Sequence, residues 1–100
     1  MESKLIGKKI IARIERAGVF FGTLEAKDSE ITRMTDVRRI YYWSGALSVT
    51  DMSRNGIADG TVTAPAKSVE FETSNVIELN ECSEEAIKSI TSVEPWKMNS

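Results

Sequence analysis

Residues 8–24, "KKIIARIERAGVFFGTL", alternate on a period of two on either side of a glycine. In the first run Ile10, Ala12 and Ile14 point one way while Lys9, Ile11, Arg13 and Glu15 point the other. In the second, Val19, Phe21 and Thr23 oppose Phe20, Gly22 and Leu24. Period two with β-branched and aromatic residues marks strands, and a tight turn at Arg16 to Gly18 predicts that the two runs pair antiparallel. Phe20, Phe21 and Leu24 are core candidates. A glycine weakens a strand unless curvature or close approach needs it, so Gly22 predicts a strong bend or a bulge.

The same logic orders the rest of the chain. "AKDSE", residues 26–30, is turn chemistry, and "EITRMTDVRRIYYW" supplies one bent strand or two short ones. Strands linked by tight turns, with a bend in the second, curl into a small barrel or a strongly twisted sheet. In "SGALSVTDMSRNG" the period changes: Ser48 with Asp51 three residues on resembles a capping box, and Gly56 is a stop, which predicts a short helix near residues 47–54. A short strand at Thr61 to Thr63, a loop at Pro65, and one or two strands in "VEFE" and "NVIELNE" follow, with Val76, Ile77 and Leu79 directed to the core. "CSEEAIKSITSVEPWK" closes with a helix: Ser83 is its N-cap, Glu84 and Glu85 complement its dipole, and Ala86, Ile87, Ile90 and Val93 form its apolar stripe. Pro95 ends it, and Trp96 folds back onto the body or caps a partner. The fold class is therefore α+β and mainly β, a small barrel or twisted antiparallel sheet with a short middle helix and a C-terminal helix.

Composition bounds what such a fold can do. A chain of 100 residues suits a single domain, 1–100, with a thin core, and 41% hydrophobic against 28% charged residues describes a soluble globule. Apolar runs such as "GVFFG" fall far short of the about 20 residues a membrane helix needs. The N-terminal stretch has no apolar h-region or cleavage site, so a cytoplasmic location is expected. With one cysteine and no histidine, an internal disulfide, a zinc site and Ser-His or Cys-His nucleophile pairs are all disfavoured, so neither a cofactor nor an enzyme is expected. Residues 1–43 carry nine lysines and arginines against six acids, and residues 44–100 carry four against nine, for a net charge of −2. An acidic chain is a poor binder of duplex nucleic acid, but its basic first half can hold a small anion.

One segment gathers the chemistry suited to that. "VRRIYYWSGALS", residues 37–48, joins two arginines, three consecutive aromatics and a Ser-Gly turn. On a regular strand Arg39, Tyr41 and Trp43 share one face and Arg38, Ile40 and Tyr42 the other. An arginine beside an exposed ring can hold a phosphate while the ring stacks on a base. The turn at Ser44 and Gly45, ahead of a helix start, can offer backbone N–H groups to an anion. The candidate ligand-binding residues are thus Arg38, Arg39, Tyr41, Tyr42, Trp43, Ser44 and Gly45, with one face of residues 38–46 as the site. Against this stands the plainer expectation that one face is core and the other ordinary sheet surface. The acidic pairs Glu70 with Glu72 and Glu84 with Glu85 read as solvated charge and helix capping, and Cys82 as a small packed hydrophobe.

Two resemblances add to this. "IGKKIIARIERAGVFFGTLEAKDSEITRMTDVRRIYYWSGALS" and the closing "EEAIKSITSVEPW" resemble an uncharacterised family of small tailed-bacteriophage and prophage proteins. The first three strands also look like those of Sm-like and SH3-like small barrels. However, "AKDSEITRM" stands where Sm proteins carry an Asp-x-x-Asn ligand turn, so uridine-type RNA binding is not implied. The phage resemblance implies a viral protein acting in the host cytoplasm. Together with the missing catalytic inventory, it sets the expectation of a non-enzymatic binding module that counteracts a host antiviral defence. The partner would be a nucleotide-derived signal or a host defence protein, and small size favours a homo-oligomer. The alternatives are a small-barrel nucleic-acid-binding protein and a virion or assembly component.

Overall fold

The predicted hairpin forms: Lys9–Ile14 is strand β1, Gly18–Lys27 is β2, and they pair antiparallel from Lys9 opposite Thr23 to Ile14 opposite Gly18. The computed structural model of the chain describes residues 4–97. Asp28 makes the next turn, its carboxylate accepting from the backbone N–H of Glu30 at 2.8 Å and of Ile31 at 2.7 Å. Those two bonds hold its pKa below the usual carboxylate value, the bond from Ile31 contributing most. The chain then enters a single 14-residue strand, β3, Ile31–Ser44. Pairing of β2 with β3 slips between Phe21 and Thr23, at Gly22. A β-carbon on Gly22 would lie 2.8 Å from the Thr35 carbonyl oxygen, so the bulge exists because the two backbones approach closely there.

Beyond β3 comes helix α1, Val49–Asn55, close to the predicted span; Ser48 caps it by accepting from the Asp51 N–H at 3.1 Å. The chain returns along the far edge of β3 as a broken strand: β4, Asp59–Val62, pairs with residues 40–44, and β5, Ala66–Glu72, pairs with residues 31–37. Pro65, which lacks an N–H to donate, falls in the break. After a single 3-10 turn, β6, Val76–Glu81, pairs with β1 on the opposite edge, and helix α2 follows at Glu84–Thr91. All strand–strand pairings among the described residues are antiparallel, in the order β4-β3-β2-β1-β6 with β5 also on β3. Of the two forms expected, the structure takes the twisted open sheet: no pairing joins β6 to β4 or β5 among the described residues.

Alternation gives this sheet two apolar faces. Ile10, Ala12, Ile14, Phe20, Leu24, Met34, Val37 and Phe71 pack together on one. The rings of Phe20 and Phe71 lie 4.8 Å apart although β3 separates their strands, so the sheet curls over its own concave side. On the other face Ile11, Val19, Phe21, Ile40 and Val62 are covered by Val49 and Met52 of α1 and Ala86 and Ile90 of α2. Two buried faces explain why both phases of the first hairpin are apolar. Ser83 ties the helices together: its hydroxyl donates to the Arg54 carbonyl at 2.6 Å and accepts from the Ala86 N–H at 3.1 Å. One core expectation fails. Val76 and Leu79 pack against the concave core, but Ile77 is 54% exposed, because pairing slips between Arg13 and Ile14 and leaves Ile77 without a partner on β1.

Candidate binding site

Four consecutive side chains of β3 are sorted by the faces just described. Arg38 points to the helix-covered side and is only 4% exposed. Its guanidinium donates from Nε to the Thr63 carbonyl at 2.7 Å, from Nη1 to Ile90 at 2.8 Å and Thr91 at 3.3 Å, and from Nη2 to Val93 at 2.8 Å. The last turn of a helix leaves carbonyls without intrahelical donors, and a cation there also complements the dipole. Burial pushes the Arg38 pKa down and Glu94 partly offsets this. Arg38 is therefore a cap for the end of α2, and it leaves the set of ligand-binding candidates because four of its donors are spent inside the molecule.

Arg39 has the opposite environment. Its backbone N–H donates to the Thr63 hydroxyl at 2.9 Å and its carbonyl accepts from the Thr63 N–H at 3.0 Å, which fixes the backbone on the strand edge. Its guanidinium carbon lies 5.4 Å from the centre of the Phe20 ring and 4.9 Å from that of Tyr41. Among the described residues it makes no side-chain hydrogen bond or ion pair, so its N–H donors are uncommitted. Tyr41 beside it is 60% exposed.

The expected alternation breaks one residue later. Ile40 pairs with Val62 but Tyr42 pairs with Thr61, so β3 carries an extra residue against β4. Such a bulge turns the strand over. Trp43 thereby returns to the side of Ile40 and packs half-buried on the helix-covered core, while Tyr42 stays exposed. The placement of Trp43 with Arg39 and Tyr41 is corrected: burying an indole outweighs keeping the regular pleat.

The turn at Ser44 and Gly45 lies against the segment that follows α1. The Ser44 carbonyl accepts from the Ala58 N–H at 2.8 Å, and a β-carbon on Gly45 would lie 2.6 Å from the Ala58 side chain, so the turn is packed against its neighbour. One N–H ahead of α1 is taken from within the helix. Leu47 donates to the Asp51 carboxylate at 2.9 Å, which also accepts from Asn55 at 2.8 Å, and these bonds hold the Asp51 pKa below its usual value. The Asp51 carboxylate is thus the acceptor for the Leu47 N–H.

On the Arg39 side a different partner completes the surface. Pro95 bridges in parallel to Val62, and the Trp96 N–H donates to the Val62 carbonyl at 2.9 Å, so the chain end folds back along β4. Trp96, 61% exposed, then lines a cleft of about 370 Å³ together with Tyr41, Thr61 and Thr63. Thr61, in β4, and Thr63, one residue past its end, flank the buried Val62. Sequence reasoning missed both threonines and used Trp96 as a residue that folds back or caps a partner; the proline expected to end α2 lies four residues past its end at Thr91, and the available signal was an indole just after that proline. The other candidates for chemistry are accounted for locally. Glu70 pairs with Arg33, whose Nε donates to it at 2.8 Å, and Glu84 and Glu85 sit in the first turn of α2. Cys82 is buried, which with Glu81 pushes its thiol up to about 12. Among the described residues no group of three His, Cys, Asp or Glu side chains is placed to hold a metal, and no helix is long and apolar enough to cross a membrane.

Residues 7–90 match the family model described as a domain of unknown function, DUF6948. The chain belongs to that family. No curated protein and no solved structure matches it. Within the DUF6948 match lie all six strands, Arg39 and Tyr41, whereas Trp96 falls outside it.

Proposed function

We propose that the chain is a non-catalytic binding module for a nucleotide-type small molecule, with the ligand's ring in the cleft between Tyr41 and Trp96 and its anionic part against Arg39. The observation that carries this is the Arg39 guanidinium, held against two rings with its donors uncommitted beside an aromatic cleft. Two aromatic side chains lining one cleft suit a planar heterocycle, the threonine hydroxyls can bond its edge, and a guanidinium bonds a phosphate in bidentate fashion. The phage and prophage resemblance supports a role in infection, in which the protein sequesters a nucleotide-derived signal of a host antiviral defence. An acidic chain with net charge −2 disfavours long polyanions relative to a small ligand.

Calorimetry against cyclic dinucleotides, cyclic ADP-ribose isomers and short RNA tests this. Binding of at least one small nucleotide, weakened by Trp96→Ala, is expected. If none binds and cells carrying a defence stay immune when the protein is expressed, the proposal is wrong.

A further inference from the structure

Arg38 stands outside the cleft, yet its guanidinium reaches the chain on two of the cleft's sides. Nε donates to the carbonyl of Thr63, which lines the cleft, at 2.7 Å. Nη1 donates to the Ile90 and Thr91 carbonyls at the end of α2, and Nη2 to the Val93 carbonyl at 2.8 Å, three residues before Trp96. One buried side chain of β3 thus ties together the residue after β4, the end of α2 and the segment that carries Trp96. Thr63 passes the same hold to the site, because its hydroxyl accepts from the Arg39 N–H at 2.9 Å and its N–H donates to the Arg39 carbonyl at 3.0 Å.

Little else fixes the segment of residues 92–96 to the sheet. Only Val93 and Pro95 in it are partly buried, so apolar burial contributes little. Its other ties to the strands among the described residues are the Trp96 N–H on the Val62 carbonyl at 2.9 Å and the bridge of Pro95 to Val62. Pro95 has no N–H to add. A segment with so few contacts belongs to the low-stability end of a fold, and each hydrogen bond that holds it carries weight.

We infer that Arg38 is the positioning residue of the cleft: by bridging Thr63 and Val93 from the helix-covered side, it sets where Thr63 and Trp96 stand before a ligand arrives. Its effect on ligand affinity rests on the proposed function, whereas its effect on Trp96 does not. A cleft whose walls are already held loses less freedom on binding. Lysine cannot substitute, because its ammonium is one point charge and lacks the planar fork that reaches several segments at once.

The test compares the wild type, Arg38→Lys and Ser83→Ala, the last loosening α2 from its other end. The Trp96 indole N–H signal is read by NMR without ligand, and AMP and cyclic di-AMP are then titrated. Arg38→Lys is expected to move the unliganded Trp96 signal and to weaken both probes by about fivefold or more, while Ser83→Ala leaves the signal in place and the affinities within about twofold. An unmoved Trp96 signal in Arg38→Lys overturns the positioning role whatever the affinities. A moved signal with wild-type affinities overturns its bearing on binding. A wild type that binds neither probe overturns the nucleotide reading of the cleft, and the unliganded signal then decides the positioning role alone. Should Arg38→Lys not fold, the wild type decides: exchange of the Arg38 Nε–H is expected to slow when a probe binds, by the reciprocity of coupled equilibria, and a rate indifferent to bound probe overturns the role.

Discussion

Arg38 and Arg39 are the same residue type at adjacent positions, yet one closes the interior and the other faces outward. The first directs its guanidinium to four carbonyls, three of them from α2 and the segment after it, and the second rests on two rings with its donors uncommitted. Their difference comes from the pleat of one strand and from what covers each face. On the helix-covered side an arginine must spend its hydrogen bonds internally, because a buried charge without partners is costly. Toward the open side, past the curled part of the concave core, nothing consumes them. The two faces of β3 therefore divide the segment into a structural half, with Arg38 and Trp43, and a surface half, with Arg39 and Tyr41.

Replacing the two arginines separately gives the largest contrast. Arg38→Met should cost about 3 kcal/mol in denaturant unfolding, since it strands the carbonyls at the end of α2, whereas Arg39→Ala should cost only about 0.5 kcal/mol through the lost ring contacts. Equal losses would break the comparison. Next comes Gly22→Ala, which forces a methyl toward the Thr35 carbonyl at the bulge and should cost about 2 kcal/mol in the same measurement. Ser83→Ala removes both the cap of α2 and the donor to Arg54, and should cost about 1 kcal/mol without altering any ligand affinity at the open face.

The smallest effect is on pH dependence. Asp28 and Asp51 have folded-state pKa values below the usual 3.8, so each stabilises the fold above that pH and loses its contribution as the pH falls through the folded value. Asp51→Asn should therefore flatten the acid limb of a stability profile below about pH 4, and Asp28→Asn should do the same from the other end of β3. A profile unchanged in Asp51→Asn would mean that the Leu47 N–H is not held by that carboxylate.

What could be read from the sequence follows the range over which each feature is set. The first hairpin, the caps Ser48 and Ser83 and the bend at Gly22 depend on neighbours a few residues away, and the structure reproduces them. Burial of both faces of β2 was implicit in Phe20 and Phe21, but which cover each faces depends on how far the sheet curls, a nonlocal matter. The bulge after Ile40 depends on the register of β4, about 20 residues on, so alternation alone misplaced Trp43. Ile77 was misplaced for the same reason on β1. Of the candidate site, Arg39 and Tyr41 were legible as an arginine beside a ring on one face. Arg38 was not, because its partners are carbonyls of a helix about 50 residues away. Trp96 joins Tyr41 only through the return of the chain along β4, which periodicity does not encode.

The chain's two tryptophans report the two faces independently: Trp43 packs on the helix-covered core and Trp96 walls the open cleft. Following both indole N–H signals by NMR while AMP or cyclic di-AMP is added tests the central claim most directly. The Trp96 signal should shift with saturation while that of Trp43 stays in place. A shift confined to Trp43, or none at either indole, would contradict the assignment of ligand binding to the Arg39, Tyr41 and Trp96 face.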